Sequence, residues 1–240
     1  FKRGWCLADT GEYGRAAQNL SSFLATFPEH ERVSEALAKR AYSYLKIGDR
    51  KSALKDLGVL LERNPEADLA SFAYQYCGRI YRDEQRWSEM ITSYQKLLAL
   101  PGAEIDRKSE AGAHYWMGWG NYKQQKWAKA IVQFKEARAL LPSRYREPAG
   151  VHIVLAAYSL LDSDLLKEGV EQLISDAPHQ QFPTRMLTWL GLERFSMGDY
   201  EGSDRFLGLA ITPEEPSQTD ILVWRHLAKA RLETLSLIHI

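Results

Sequence analysis

Residues 126–142, KWAKAIVQFKEARALLP, place the strongest constraint on what this chain can fold into. They carry Ala130, an aromatic residue four positions on at Phe134, and Pro142, which stops the run. The same order returns in Met90, Tyr94 and Pro101, in Ala53, Leu57 and Pro65, and in Ala16, Leu20 and Pro28. It continues in Leu166, Val170 and Pro178, and in Ser203, Leu207 and Pro213. Counted from Ala16, successive copies lie 37, 37, 40, 36 and 37 residues apart. Six copies at so constant a period read as a helical array, in which each repeat buries its apolar face against its neighbours.

A second apolar-periodic run precedes each copy. It shows as Tyr74, Cys77, Gly78 and Tyr81 in the third repeat and as Leu187, Leu190 and Gly191 in the sixth. Leu37, Ala41 and Tyr44 hold the same offsets in the second, and His114, Met117 and Gly118 in the fourth. The small residue recurs because two helices must approach closely there. Between the two runs, Gly48-Asp49 and Gly198-Asp199 can close one helix in a left-handed conformation and cap the next, and Gly11 fills the same slot. Gln85 and Gln125 stand there in the third and fourth repeats. A left-handed non-glycine costs about 1 kcal/mol, so those two turns are expected to be strained or altered.

The pattern predicts first helices over residues 1–9, 31–47, 68–84, 107–124, 147–161, 183–197 and 217–234. Second helices are predicted over 13–27, 50–64, 87–100, 127–141, 164–176 and 200–211. The last first-helix, with Leu222, Leu227 and Ala228, is expected to lack a partner. The expected fold class is all-α, a right-handed superhelix of antiparallel helix pairs with about six repeats and one unpaired C-terminal helix.

These residues resemble the tetratricopeptide repeat, whose signature is W-x2-L-G-x2-Y, then A-x3-F, then P. The resemblance covers about residues 1–234, read as one domain. Two departures stand out: the period exceeds the usual 34 or so, and the fifth repeat matches only through Leu166, Val170 and Pro178. The longer period and the Phe27-Pro28 and Leu141-Pro142 endings are similar to repeats of bacterial cell-envelope proteins, the TolA-binding and outer-membrane-assembly lipoprotein families. That narrower resemblance implies a periplasmic or envelope location rather than a cytoplasmic one.

The chain begins with Phe1 inside a predicted helix, and residues 235–240, LSLIHI, match one reading frame of a transposon-end sequencing adaptor. We read the chain as truncated at both ends, with 235–240 as adaptor read-through and outside fold reasoning.

Lys plus Arg and Asp plus Glu number 31 each. This balance gives no electrostatic drive toward nucleic acid or an anionic membrane, and charges interrupt every apolar run before the ~20 residues of a membrane span. Cys6 and Cys77 form no CxxC. The register puts them two repeats apart, roughly 20 Å or more, so both are expected as free thiols, Cys77 in the core. The six histidines show no i, i+4 pair, and no P-loop or G-x-S-x-G occurs. Catalysis, a cofactor and a metal are therefore not expected.

The aromatic residues are more informative. The resemblance implies that first helices line the concave face, with the residue after the small position and the residues one turn on pointing into it. That rule selects Trp5, Tyr42, Arg79 and Arg82. It continues with Tyr115, Trp119, Tyr122 and Lys123, then with Tyr158, Leu192 and Phe195. Rings interleaved with cations suit a peptide or protein segment, the cations meeting carboxylates. A non-catalytic scaffold for a protein partner is the leading reading. The alternatives are a recruiting domain of a larger enzyme or sensor, and a cell-wall or carbohydrate binder that stacks sugars on the rings.

Overall fold

The computed structural model describes residues 1–101, 105–211 and 218–238. The expected loop around Pro213, Glu214 and Glu215 and the last two residues lie outside them. Among the described residues the chain is thirteen helices without a strand. It divides into two compact units, 1–141 and 142–240.

The first unit holds four helix pairs: α1 (Lys2–Asp9) with α2 (Tyr13–Thr26), α3 (Val33–Lys46) with α4 (Arg50–Glu62), α5 (Ala67–Asp83) with α6 (Trp87–Leu98), and α7 (Arg107–Lys123) with α8 (Trp127–Leu140). The second holds α9 (Pro142–Leu160) with α10 (Ser163–Asp176), α11 (Thr184–Ser196) with α12 (Tyr200–Ala210), and α13 (Gln218–Ile238).

One packing rule joins the partners of a pair. A Cβ added to Gly78 would fall 2.7 Å from the Tyr94 ring, and one on Gly118 would fall 2.8 Å from the Phe134 ring. Gly191 stands in the same relation to Leu207 at 2.6 Å, and Gly4 to Leu20 at 2.8 Å. Sixteen residues separate the members of every pair. The glycine supplies the close approach and the large side chain fills it, which sets the helices at van der Waals contact. Ala41 and Leu57, both fully buried, hold the same two slots in the second repeat.

The fifth repeat, which looked degenerate, keeps the contact with its parts exchanged. Val154 occupies the small slot, and Gly169 on α10 faces it, where a Cβ would lie 3.2 Å from the Val154 Cγ2.

The turns follow the sequence closely. Gly11, Gly48 and Gly198 adopt φ of 84°, 84° and 80°. Gln85 and Gln125 adopt the same left-handed conformation at 58° and 59°, and so does Leu161 at 56°. The turn geometry is thus kept and the glutamines carry the strain, because the next helix cannot otherwise dock antiparallel. Asp49 accepts from the Ser52 N–H at 3.0 Å, and Asp199 from the Gly202 N–H at 2.9 Å. Lys167 sits 2.6 Å from Asp199. Burial acts against the Asp199 charge, but Lys167 and the Gly202 N–H more than offset it and hold the carboxyl pKa low.

One expectation needs correction. The α9 helix starts at Pro142, not at 147. Proline is a poor stop when it can serve as a first helical residue, where its missing N–H costs nothing. Pro148 then lies inside the helix, where it removes the bond that would reach the Arg144 carbonyl. The His152 Nδ1–H donates to the Pro148 carbonyl at 2.6 Å, so this half-buried histidine is tied to its own helix. The unpaired C-terminal helix is α13, which no second helix follows among the described residues. Its Ala228 and Ile221 are buried, the helix packs on α12, and Arg225 reaches Asp204 at 2.9 Å. Its large apolar side chains Leu222, Val223, Trp224 and Leu227 remain exposed, as do His226, Lys229 and Ala230.

Both cysteines are free thiols, Cys6 exposed and Cys77 buried. Burial pushes the Cys77 thiol up to about 12 from 9.0. We expect native protein at pH 8 to react with one equivalent of a thiol reagent and with two after denaturation. Two fast equivalents in native protein would contradict the packing of α5. Between pH 9 and 12 the unfolded chain releases this proton while the folded chain keeps it. This thiol therefore destabilises the fold as pH rises across that window.

Candidate interaction face

The residues singled out from sequence fall on both units, and each unit is taken by itself. None of the eleven is buried: Arg79 and Lys123 are exposed and the other nine are half-buried.

In the first unit the face is built from successive first helices. Trp5 on α1 and Tyr42 on α3 line one cavity of about 560 Å³, which α5 closes with Phe72. The Tyr13 and Tyr42 rings meet edge to face at 6.0 Å, and those of Tyr42 and Tyr76 at 6.1 Å. The Phe72 ring lies 4.5 Å from Tyr76. Rings from three consecutive repeats thus touch in a continuous row. Farther along, Tyr115 lies beside Trp116 and leans on the core Phe134 at 5.5 Å. Trp119 stacks on Tyr122 at 6.2 Å, and Tyr122 meets Trp127 at 5.0 Å.

The cations do not stand free between these rings; they lie over them. Lys39 Nζ is 4.2 Å from the Trp5 ring centre, and Lys46 is 5.2 Å from that of Tyr42. A hydrogen bond donated to Tyr42 is the main reason the Lys46 pKa is raised. Arg79 covers Tyr76 at 5.1 Å, Arg82 covers Trp116 at 4.5 Å, and Lys123 covers Trp119 at 4.9 Å. Arg82 is also held by Asp83 at 2.7 Å. Contacts of this kind contribute roughly 0.5–1 kcal/mol at exposed sites and fix the side chains in place.

In the second unit, Tyr158 meets Trp189 at 5.8 Å across α9 and α11. Phe195 lies between Tyr200 and Trp224 at 5.4 and 5.2 Å, and Arg231 lies over it at 4.7 Å. Leu192 is half-buried on the same helix.

Sequence reasoning missed Lys39, Tyr76, Trp116 and Trp189, all of which take part in these contacts. Each stands two residues before the small position of its repeat. Aligning the repeats on Ala41, Gly78, Gly118 and Gly191 would have exposed this slot, because one helical turn carries it to the same face. The acidic groups of the cavity, Asp9, Glu35 and Asp68, gave no comparable signal.

Among the described residues no group of three or more His, Cys, Asp or Glu side chains is placed to hold a metal ion. No helix there is long and apolar enough to cross a membrane.

Residues 35–67 match the family model of the tetratricopeptide repeat. A comparison with curated proteins finds no match. Among solved structures, a tetratricopeptide repeat protein from Parabacteroides merdae is similar over 95% of this chain and 96% of its own, with a TM-score of 0.55 and 12% identity. A MamA protein is similar over 75% of this chain and 91% of its own, with a TM-score of 0.52 and 21% identity. At such identities the likeness is one of fold. Residues 35–67 thus carry a tetratricopeptide repeat, and the all-α fold of helix pairs is the one these tetratricopeptide-repeat structures share.

Proposed function

We propose that the chain binds a peptide or protein segment along its first-helix face and catalyses nothing itself. The cavity between α1, α3 and α5 carries this reading, with Trp5 and Tyr42 on its wall. Rings held by neighbouring rings and cations lose little freedom on binding, so contact area is not cancelled by ordering entropy. The carbohydrate reading is less favoured, since Lys39 and Lys123 already occupy faces of Trp5 and Trp119 on which a sugar would stack. A periplasmic or envelope location belongs to the same proposal and rests on repeat length and the Phe-Pro and Leu-Pro endings.

The test is a peptide selected on the full chain, with affinity measured for single alanine variants. Trp5→Ala and Tyr42→Ala are expected to weaken binding about tenfold each, the loss typical of a buried aromatic anchor. Trp119→Ala and Arg82→Ala extend the test along α5 and α7. Unchanged affinity in all four, with melting temperatures retained, rejects the face.

A further inference from the structure

The cavity between α1, α3 and α5 carries more than an apolar wall. Four charged side chains line it: Asp9, Glu35, Asp68 and Lys39. Lys39 cancels one of them, its Nζ lying 2.6 Å from the Asp9 Oδ1 and over the Trp5 ring. The Glu35 and Asp68 carboxylates have no hydrogen bond or ion pair among the described residues. On its other side Glu35 faces a smaller cavity with Lys2 and Arg32, neither of which comes within 4.0 Å of it. Arg32 is turned toward Glu31 and the Phe1 ring.

Both carboxylates lie in the first turn of a helix, Glu35 on α3 and Asp68 on α5, where the helix dipole makes an anion inexpensive to hold. The free protein therefore tolerates two uncompensated charges beside an aromatic wall. We propose, on the reading that this face binds peptide, that the cavity receives a Lys or Arg side chain of the partner segment, next to an apolar residue that packs on Tyr42 and Phe72. Lys39 is the pattern for it: a cation held between a ring and a carboxylate in the same cavity. The incoming cation repeats that arrangement with Glu35 and Asp68, and complementarity of charge selects basic over acidic segments. This reverses the expectation drawn from the sequence, in which the protein supplied the cations and the partner the carboxylates.

A random octapeptide phage library, selected on the full chain and on a Glu35→Gln/Asp68→Asn variant, decides the matter. The expected consensus on the wild-type chain has Lys or Arg beside an aromatic or aliphatic residue. A synthetic copy of it should bind the double variant about tenfold more weakly, as two modest ion pairs together predict, and should weaken with added NaCl. A consensus lacking Lys and Arg, or equal affinity for the double variant with its melting temperature retained, overturns the inference and leaves the groove reading intact. Failure to select any peptide whose binding falls in Trp5→Ala overturns both.

Discussion

Phe134→Ala is expected to lower the unfolding free energy of the first unit by about 3–5 kcal/mol, the usual cost of emptying a core aromatic site. Phe134 is fully buried. The residue it fills against is Gly118, where a Cβ would already stand 2.8 Å from the ring. A glycine has no side chain that could relax into the space, so the cavity stays open and the cost falls at the high end. Urea unfolding followed by circular dichroism measures it, and a loss below about 1 kcal/mol would contradict the packing rule. A double variant makes the test specific. Gly118→Ala/Phe134→Leu copies the Ala41 and Leu57 pair of the second repeat, which the same fold already accommodates. It should recover at least half of the loss, whereas Gly118→Ala alone crowds the ring. The two changes are in contact and should not add.

Arg40→Met is expected to cost about 3–5 kcal/mol, because it strands a buried carboxylate. Asp56 on α4 has only 5% of its side chain exposed. Arg40 on α3 grips it through Nε and Nη2, both at 2.7 Å, and reaches Ser21 on α2 at 2.9 Å. Burial works to lower the guanidinium pKa, and the bond and charge of Asp56 more than reverse it. The pair is a bidentate clasp between three helices of two repeats. Removing both charges is a different matter. Arg40→Met/Asp56→Leu should lie within about 1 kcal/mol of the parent or above it, since an apolar pair escapes the desolvation of two ions. The sixth repeat already has Leu190 and Phe206 in these slots, both fully buried. Thermal melts of the single and double variants check the difference. A single variant as mild as the double one would show that the clasp carries no energy.

Much of the fold was legible because the repeat signals are local. A left-handed turn needs glycine or accepts strain, so Gly48 and Gly198 marked their places, and Gln85 and Gln125 were found in the same slot at the same angle. A close helix crossing needs a small residue, so Gly78, Gly118 and Gly191 announced theirs. Where a residue can play two parts, local reading failed. Pro142 ends one helix and opens the next, and nothing in its neighbours says which role dominates until both helices are docked. The fifth repeat failed for a related reason: its close contact depends on Gly169 and Val154 from different helices, and each looks ordinary by itself.

The candidate face divides in the same way. Rings at fixed offsets from the small residue could be listed from the sequence, because helical periodicity carries them to one side. What each ring touches could not. The sequence by itself determined the helix pairs, their turns and the crossing points, all of which follow from backbone sterics within a repeat. Only the tertiary structure decided that Arg40 belongs to Asp56, that Lys39 belongs to Asp9, and that Glu35 and Asp68 are left facing a cavity. Charge pairing is long-ranged and weakly tied to spacing, and it is settled only when packing fixes which side chains share a space.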